Sequence, residues 1–256
     1  MTRLPPLRSL PAALAAVAAA ATVLHAPARA QADTTTWGLG LAVQPEKRPY
    51  RQFDDKTRLL PVLVLENRWL RVSGPGLEVK LGQAGGLGLG LTARYANDGY
   101  DASDSPALAG MAERKASVWL GARAAWRGGP GTLSAEWSGD ASGHSKGQKL
   151  KLAAEHPFAA GSVLLTPRLA LTWHDRRFAQ YYFGVPAAEA AAGRPAYSPG
   201  GFVDTELALR AEHSPLPHQV VFADVGITAL GRSLRHSPLV DRSTQPGLRL
   251  GWVYMF

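Results

Sequence analysis

The sequence predicts an all-β chain: a transmembrane antiparallel β-barrel of about twelve strands, with ten as the alternative, preceded by a cleaved signal peptide. Three observations predict it. The first thirty residues have the layout of an export signal, the rest alternates apolar and polar residues with period two, and its connections run short and long in turn. The 256 residues are 46% hydrophobic and 19% charged, with no Cys. That composition excludes a disordered chain, a disulfide-stapled scaffold and a thiolate metal site.

Arg3 and Arg8 open the chain, the apolar run Ala12–Leu24 follows, and Ala28-Arg29-Ala30 puts small residues at −3 and −1 of a cleavage point. Cleavage after Ala30 divides the chain into a signal peptide, 1–30, and a barrel, 31–256. An uncleaved amphipathic anchor is the alternative reading. The formal charge of +8 then falls to about +5 as Arg3, Arg8 and Arg29 leave, which removes most of the case for a nucleic-acid partner. No later apolar stretch reaches the roughly 18 residues of a membrane helix. An exported soluble domain, a secreted protein and an outer-membrane barrel remain.

Strands are expected near 36–44, 58–66, 69–73, 77–82, 86–95, 114–126, 131–139, 147–156, 162–173, 202–213, 219–230 and 246–256. In the first and fifth, Gly38 and Gly40, then Gly86, Gly88 and Gly90, alternate with leucines. Leu is expected to face lipid and Gly to make room inside; neither run fits G-x-G-x-x-G, since Val43 and Leu91 stand at the third-glycine positions. Pieces 69–73 and 77–82 fall short of the roughly 9–11 residues that span a bilayer, hence the ten-strand alternative. Val118, Leu120 and Trp126 oppose Arg123, although Trp119 breaks that polarity. Val163, Leu165, Leu169, Leu171 and Trp173 oppose Thr166, Arg168 and Thr172. Val203, Leu207 and Leu209 oppose Asp204, Glu206 and Arg210, and Val221, Val225 and Ile227 oppose Asp224 and Thr228. Leu248, Leu250, Trp252, Tyr254 and Phe256 make the last strand's apolar face. A soluble sandwich would show the same alternation; the signal and the aromatic final strand, an edge that only closure protects, decide for a barrel.

Turns at Arg127–Pro130, Pro157–Gly161 and Ser214–His218 are short, and loops at 45–57, 96–113, 174–201 and 231–245 are long. Short periplasmic turns alternating with long outer loops are the barrel habit, and an even strand count puts both ends on the periplasmic side.

Candidate chemistry is sparse. Arg94, Arg123, Glu136, Glu155, Arg168, Asp204, Glu206, Arg210, Asp224 and Arg249 are expected to point inward. Asp204 and Glu206, on one face, could serve as an acid–base pair, but an ion-pair network in a wet lumen is the favoured account. His213 and His218 have H-x₃₋₅-H spacing without the cysteines of a zinc site. His144-Ser145 and His174-Asp175 could seed an outer-leaflet hydrolase, yet no third partner is recognisable. Lys47, Arg48, Arg51, Lys56 and Arg58, with Glu46, Asp54 and Asp55 among them, and Arg176 and Arg177, can pair with lipopolysaccharide phosphates; plain loop solvation accounts for them equally.

Gln180-Tyr181-Tyr182-Phe183-Gly184-Val185, then Gly193-Arg194-Pro195-Ala196-Tyr197, resembles the signature of the MipA/OmpV family of outer-membrane proteins, in which a Y-F-G-V run precedes a G-x-P-x-Y element. Ser237-Pro238-Leu239-Val240, the closing strand 246–256 and the segment Tyr50–Pro61 are similar to the family as well. Between 96 and 160 only the strand rhythm is similar. The final strand also resembles the terminal-aromatic signal read by the barrel-assembly machinery, with Leu250, Trp252, Tyr254 and Phe256 as its residues. The resemblance implies a Gram-negative outer-membrane protein without catalytic residues or cofactor. It further implies an adaptor that brings a lytic transglycosylase together with a bifunctional peptidoglycan synthase. A narrow solute pore is the alternative, and an outer-leaflet lipid hydrolase a more distant one. The family-motif loop, Tyr182, Phe183, Gly184, Val185, Gly193, Pro195 and Tyr197, falls in an outer loop, which is awkward for a periplasmic partner. Its aromatics would be costly to expose, so it is expected to fold inward as a plug; otherwise the topology is inverted there.

Overall fold

The computed structural model describes residues 35–53 and 56–256; the proposed signal and its cleavage point, with Asp54 and Asp55, lie outside them. Thirteen strands form one antiparallel sheet: β1 (Thr36–Glu46), β2 (Lys56–Glu66), β3 (Leu70–Ser73), β4 (Gly76–Ala84), β5 (Leu87–Ala96), β6 (Ser117–Gly128), β7 (Gly131–Asp140), β8 (Gln148–Glu155), β9 (Phe158–Ala160), β10 (Val163–His174), β11 (Phe202–His213), β12 (Gln219–Ala229) and β13 (Thr244–Met255). Each pairs with the next except β8, which pairs with β10, and β13 pairs with β1, so the sheet closes on itself. β8 and β9 lie on the same side of β10, at Arg168–His174 and Val163–Leu165. They are one strand interrupted at His156-Pro157, because proline cannot donate into the ladder. The ring therefore has twelve positions, and the ten-strand alternative falls away. The short pieces near 69–82 are true members of the wall, joined through the Gly74 turn, whose φ of +55° suits glycine.

Boundaries shift where loops compete with the ladder. β6 starts at Ser117 rather than 114, because Arg114 bridges to Tyr100 instead. The long connection after β10 is not simply loop: Arg176–Phe183 forms a helix, α1, capped by the Asp175 carboxylate accepting from Phe178 N–H. A one-turn helix, α2 (Arg232–Arg235), follows β12.

The faces follow the alternation. Leu39, Leu41, Leu59, Leu91, Leu120, Leu169, Leu207, Ile227 and Leu250 are exposed on the outside. Trp37, Trp69, Trp126, Phe158 and Phe256 ring the turn end, and Tyr95, Trp137 and Trp173 the loop end, as the girdles of a spanning barrel do. At the seam Phe256 N–H donates to the Trp37 carbonyl at 2.8 Å, and their rings stack 4.0 Å apart. Inside, glycines make the expected room. A Cβ on Gly251 would stand 2.3 Å from the Phe222 ring, and one on Gly90 2.7 Å from the Glu78 carboxylate. Ala42, Phe222 and Val253 pack there with Val62, Val64 and Met255 into a small apolar patch beside the seam.

Candidate functional site

At the turn end the strands are joined by connections of two to five residues: 67–69, 85–86, 129–130, 161–162 and 214–218. The other end carries 47–55, 97–116, 141–147, 175–201 and 230–243. Those longer connections form a second core. Tyr50 and Phe53 come from the first, Tyr100, Leu108 and Met111 from the second, Phe178, Tyr182, Phe183 and Val185 from the fourth, and Leu230, Leu234, Leu239 and Val240 from the fifth. Two inward-facing wall residues, Trp119 and Phe202, complete it. The β1–β2, β5–β6 and β10–β11 hairpins are spaced round the ring with two strand positions between each. They can share a core only by meeting over the middle of the mouth, which they cap.

Hydrogen bonds knit the cap across the loops. Tyr50 Oη donates to the Tyr182 carbonyl at 3.2 Å, and Tyr182 Oη lies 3.0 Å from the Lys115 carbonyl and 3.1 Å from Ser117 Oγ. Arg114 donates to the Tyr181 carbonyl and pairs with Glu189 at 2.7 Å. Arg194, inside the family-motif loop, donates to the carbonyls of Ala107 and Ala109, and Ser237 Oγ to that of Phe183 at 2.7 Å. Tyr182, Phe183 and Val185 are buried and Tyr197 half-buried, its hydroxyl on the Ser233 carbonyl. Gly184 sits where a Cβ would strike the Gln180 carbonyl, 2.5 Å away. Gly193 (φ +78°) and Pro195 shape the return that pairs Tyr197 with Val185. Burial raises the Tyr50 and Tyr182 phenols above their ordinary range and pushes Tyr100 up to about 12.

Lys149, inward-facing on β8, fastens the cap to the wall. Its ammonium pairs with Asp98 at 2.7 Å and lies over the Trp119 and Phe178 rings at 3.9 and 4.4 Å. Trp119, the residue that spoils the polarity of its strand, is thus the platform under α1. His174 stacks between Phe178 and Phe202 with Nε2 3.3 Å from Asp204.

Below the cap, both signs of charge line the lumen. Arg168 bonds Glu206 at 2.6 Å, Lys151 approaches Glu206 at 3.8 Å, and Glu155 lies 3.8 Å from Arg168. Arg210 and Arg249 share Asp224. Arg123 faces Glu136 across the β6–β7 ladder and reaches Glu78 at 3.6 Å. Asp204 and Glu206 do not act as a pair, because Asp204 serves His174 and the Gly231 N–H. Sequence reasoning missed Glu66, Arg71, Glu78 and Lys80, which form a further inward network. Their signal was Glu78 and Lys80 alternating with Leu77, Val79 and Leu81.

The hydrolase seeds do not assemble. His144 Nδ1 contacts the Ala116 carbonyl, while Ser145 Oγ donates to Asp140 at 2.7 Å. His213 Nδ1 contacts the Ser162 carbonyl and His218 lies beside Tyr254. Among the described residues no cluster of metal-ligating side chains forms.

A family model described as MltA-interacting protein MipA matches residues 38–256. The chain belongs to the MipA family. It is 27% identical over 231 residues to the outer membrane protein YiaT of Escherichia coli K12, covering 85% of this chain and 89% of that one. To the MltA-interacting protein of the same organism it is 26% identical over 245 residues, covering 94% and 95%. Among solved structures it resembles an outer membrane channel from Pseudomonas putida F1, with a TM-score of 0.44 and 11% identity over 89% of this chain and 97% of that one. This family member is an outer-membrane β-barrel.

Proposed function

We propose that this barrel is a non-enzymatic adaptor at the cell envelope, contacting a lytic transglycosylase and a peptidoglycan synthase from its periplasmic side. Kinship with a protein named for its interaction with MltA supports the partner class. The observation that carries the non-pore reading is the cap, because a mouth filled by a packed aromatic core opposes free passage of solute. With short turns facing the periplasm, as in barrels generally, the partner surface is Trp69, the Gly129-Pro130 turn and the Ser214–His218 turn, together with the mouth between them. That mouth is about 24 Å across. A five-residue turn anchored at both ends projects at most about 10 Å, and the two- and three-residue turns less, so they leave its middle uncovered. The lipid-phase partner is lipopolysaccharide, and the barrel-assembly machinery reads the final strand through Leu250, Trp252, Tyr254 and Phe256.

Affinity capture of the tagged barrel from lightly cross-linked envelopes, with an unrelated barrel as control, tests the adaptor. Enrichment of a lytic transglycosylase or a peptidoglycan synthase, lost in Leu216→Lys, is the expected result. A capture no different from the control overturns it. The charged lumen favours a second reading, a solute pore gated by the cap. Intermittent single-channel conductance of the unaltered barrel, with its cap intact in sequence, would support that reading.

A further inference from the structure

The wall of the barrel is not uniform. β2 pairs with β1 along its whole length, from Lys56 to Glu66, but with β3 only at Val64–Glu66. The β3–β4 hairpin turns back at Gly74-Pro75, low in the wall, and Gly74 N–H donates to the Leu63 carbonyl at 3.2 Å. Backbone groups on a strand alternate sides, so Leu63, Pro61, Leu59 and Thr57 all direct theirs towards β3. Above Leu63 those of Pro61, Leu59 and Thr57 meet no strand among the described residues.

The result is a window in the loop half of the wall. β2 forms one side. The hairpin forms the floor, with Tyr95 N–H on the Pro75 carbonyl at 3.1 Å, and the end of β5 forms the far side. Residues 97–105 form the roof, tied to the β1–β2 side by Lys56–Asp104 at 2.8 Å and by Ser105 Oγ on the Arg51 carbonyl at 2.5 Å.

An unpaired strand edge in hydrocarbon costs several kcal/mol per group, so something polar must meet it. A strand from a second copy is the obvious partner, but Pro61 opposes it. The proline stands in the middle of the open edge and directs its missing N–H to that side, the usual device against edge-to-edge pairing. Charge points to a different occupant. Arg48 and Arg58 share the single Glu46 carboxylate. The Asn97 amide, turned to present its oxygen, also accepts from both. Arg94 has no carboxylate within ion-pair distance among the described residues. Its guanidinium lies over the floor, 3.5 Å from where a Gly76 Cβ would stand. Around the opening, Leu59, Leu63, Leu77 and Tyr95 face lipid. The window therefore joins three guanidinium groups and the Lys56 ammonium, against the Glu46 and Asp104 carboxylates, to an apolar frame on its outer side.

We propose that this window binds the phosphate head of an outer-leaflet amphiphile. Arg94 and Arg58 grip the phosphate, the head's hydroxyls meet the free edge of β2, and the acyl chains stay in the bilayer against Leu59 and Tyr95.

Native mass spectrometry of the full barrel in neutral detergent tests this, with lipid A, the same lipid stripped of its phosphates, and inorganic phosphate as probes. One lipid A should be retained per barrel. Retention should fall about tenfold for the stripped lipid and for Arg58→Gln/Arg94→Gln, the loss expected for charge-assisted bonds. Heat-modifiable migration reports whether the variants fold; Arg94→Gln alone, which breaks no ion pair, is the second variant. Equal retention by Arg94→Gln and the parent, or by the two lipids, overturns the proposal. Displacement of lipid A by millimolar inorganic phosphate would make the site one for soluble anions and also overturns it. Rapid disulfide dimerisation of Leu59→Cys in membranes would show that a second copy covers the edge, and would overturn it too.

Discussion

The two ends of this barrel solve opposite problems. At the turn end, connections of a few residues do no more than reverse the chain, and the apolar residues there, such as Trp69 and Leu216, are exposed at the membrane border. At the loop end the connections bury Tyr50, Tyr182, Leu108, Leu234 and Leu239 almost completely. In a barrel whose wall side chains face lipid or a wet lumen, the loops hold the largest buried apolar cluster. Tertiary packing has moved out of the wall and into the cap.

The sharpest way to break that contrast is Tyr182→Ala. It removes a fully buried ring and its bonds to Lys115 and Ser117, at a cost of about 3–5 kcal/mol to the cap. The barrel should still migrate as a folded species, while limited trypsin cleaves at Arg114 or Arg177 and ion conductance appears. Simultaneous loss of the folded band would show that cap and wall are one unit.

Alkali should reach the cap next. Tyr100, raised to about 12, and Tyr50 and Tyr182, also raised by burial, favour the neutral phenol in the fold. Their stabilisation is fully present below the unfolded value of about 10 and is lost as pH climbs through the folded values. The part of the tyrosinate absorbance that is lost in Tyr50→Phe, Tyr100→Phe or Tyr182→Phe should thus rise late and together with protease sensitivity at the loop end; a rise of that part near pH 10 without cleavage contradicts this.

Gly251→Val tests the wall instead. Its side chain would overlap the Phe222 ring and cost about 1–3 kcal/mol, seen as a lower urea midpoint with the cap still protected. Lys149→Met, which keeps the stem and removes the charge, should loosen only the fastening, by about 1–2 kcal/mol. Hydrogen exchange should quicken in 97–116 and α1 but not in β10–β13. Smallest of all, Leu216→Lys at the turn end should shift stability by less than about 0.5 kcal/mol, so any loss of partner capture there reads on binding alone.

How much of this is legible in the sequence divides along the same line. The wall is local: period two alone places β11 at its observed bounds, Phe202–His213, and puts Arg123, Arg168 and Asp224 inside. The cap is not local, since Tyr50 meets Tyr182 across 132 positions. The sequence showed its aromatics and their unease in a polar loop, but not what would cover them. Trp119 was the visible clue, an indole on a face otherwise given to charge. β8–β9 was hidden because Pro157 reads as a turn, while the strand resumes on the same neighbour. The open edge of β2 was hidden because Pro61 looks innocuous until the ladder shows which way it points.

The cap also constrains how this protein can change. Four connections contribute to one interior, and Arg194 and Arg114 hold backbone carbonyls of segments other than their own. Surface loops ordinarily vary more freely than the elements they connect. Here a substitution at Leu108 or Val185 is felt by the other three loops of that interior, so change is expected to be tolerated best at the exterior positions Arg177, Arg232 and Arg235 and in the 141–147 connection, which adds nothing to it. Any graft or epitope insertion is best placed in the 141–147 connection, or has to bring its own replacement interior with it.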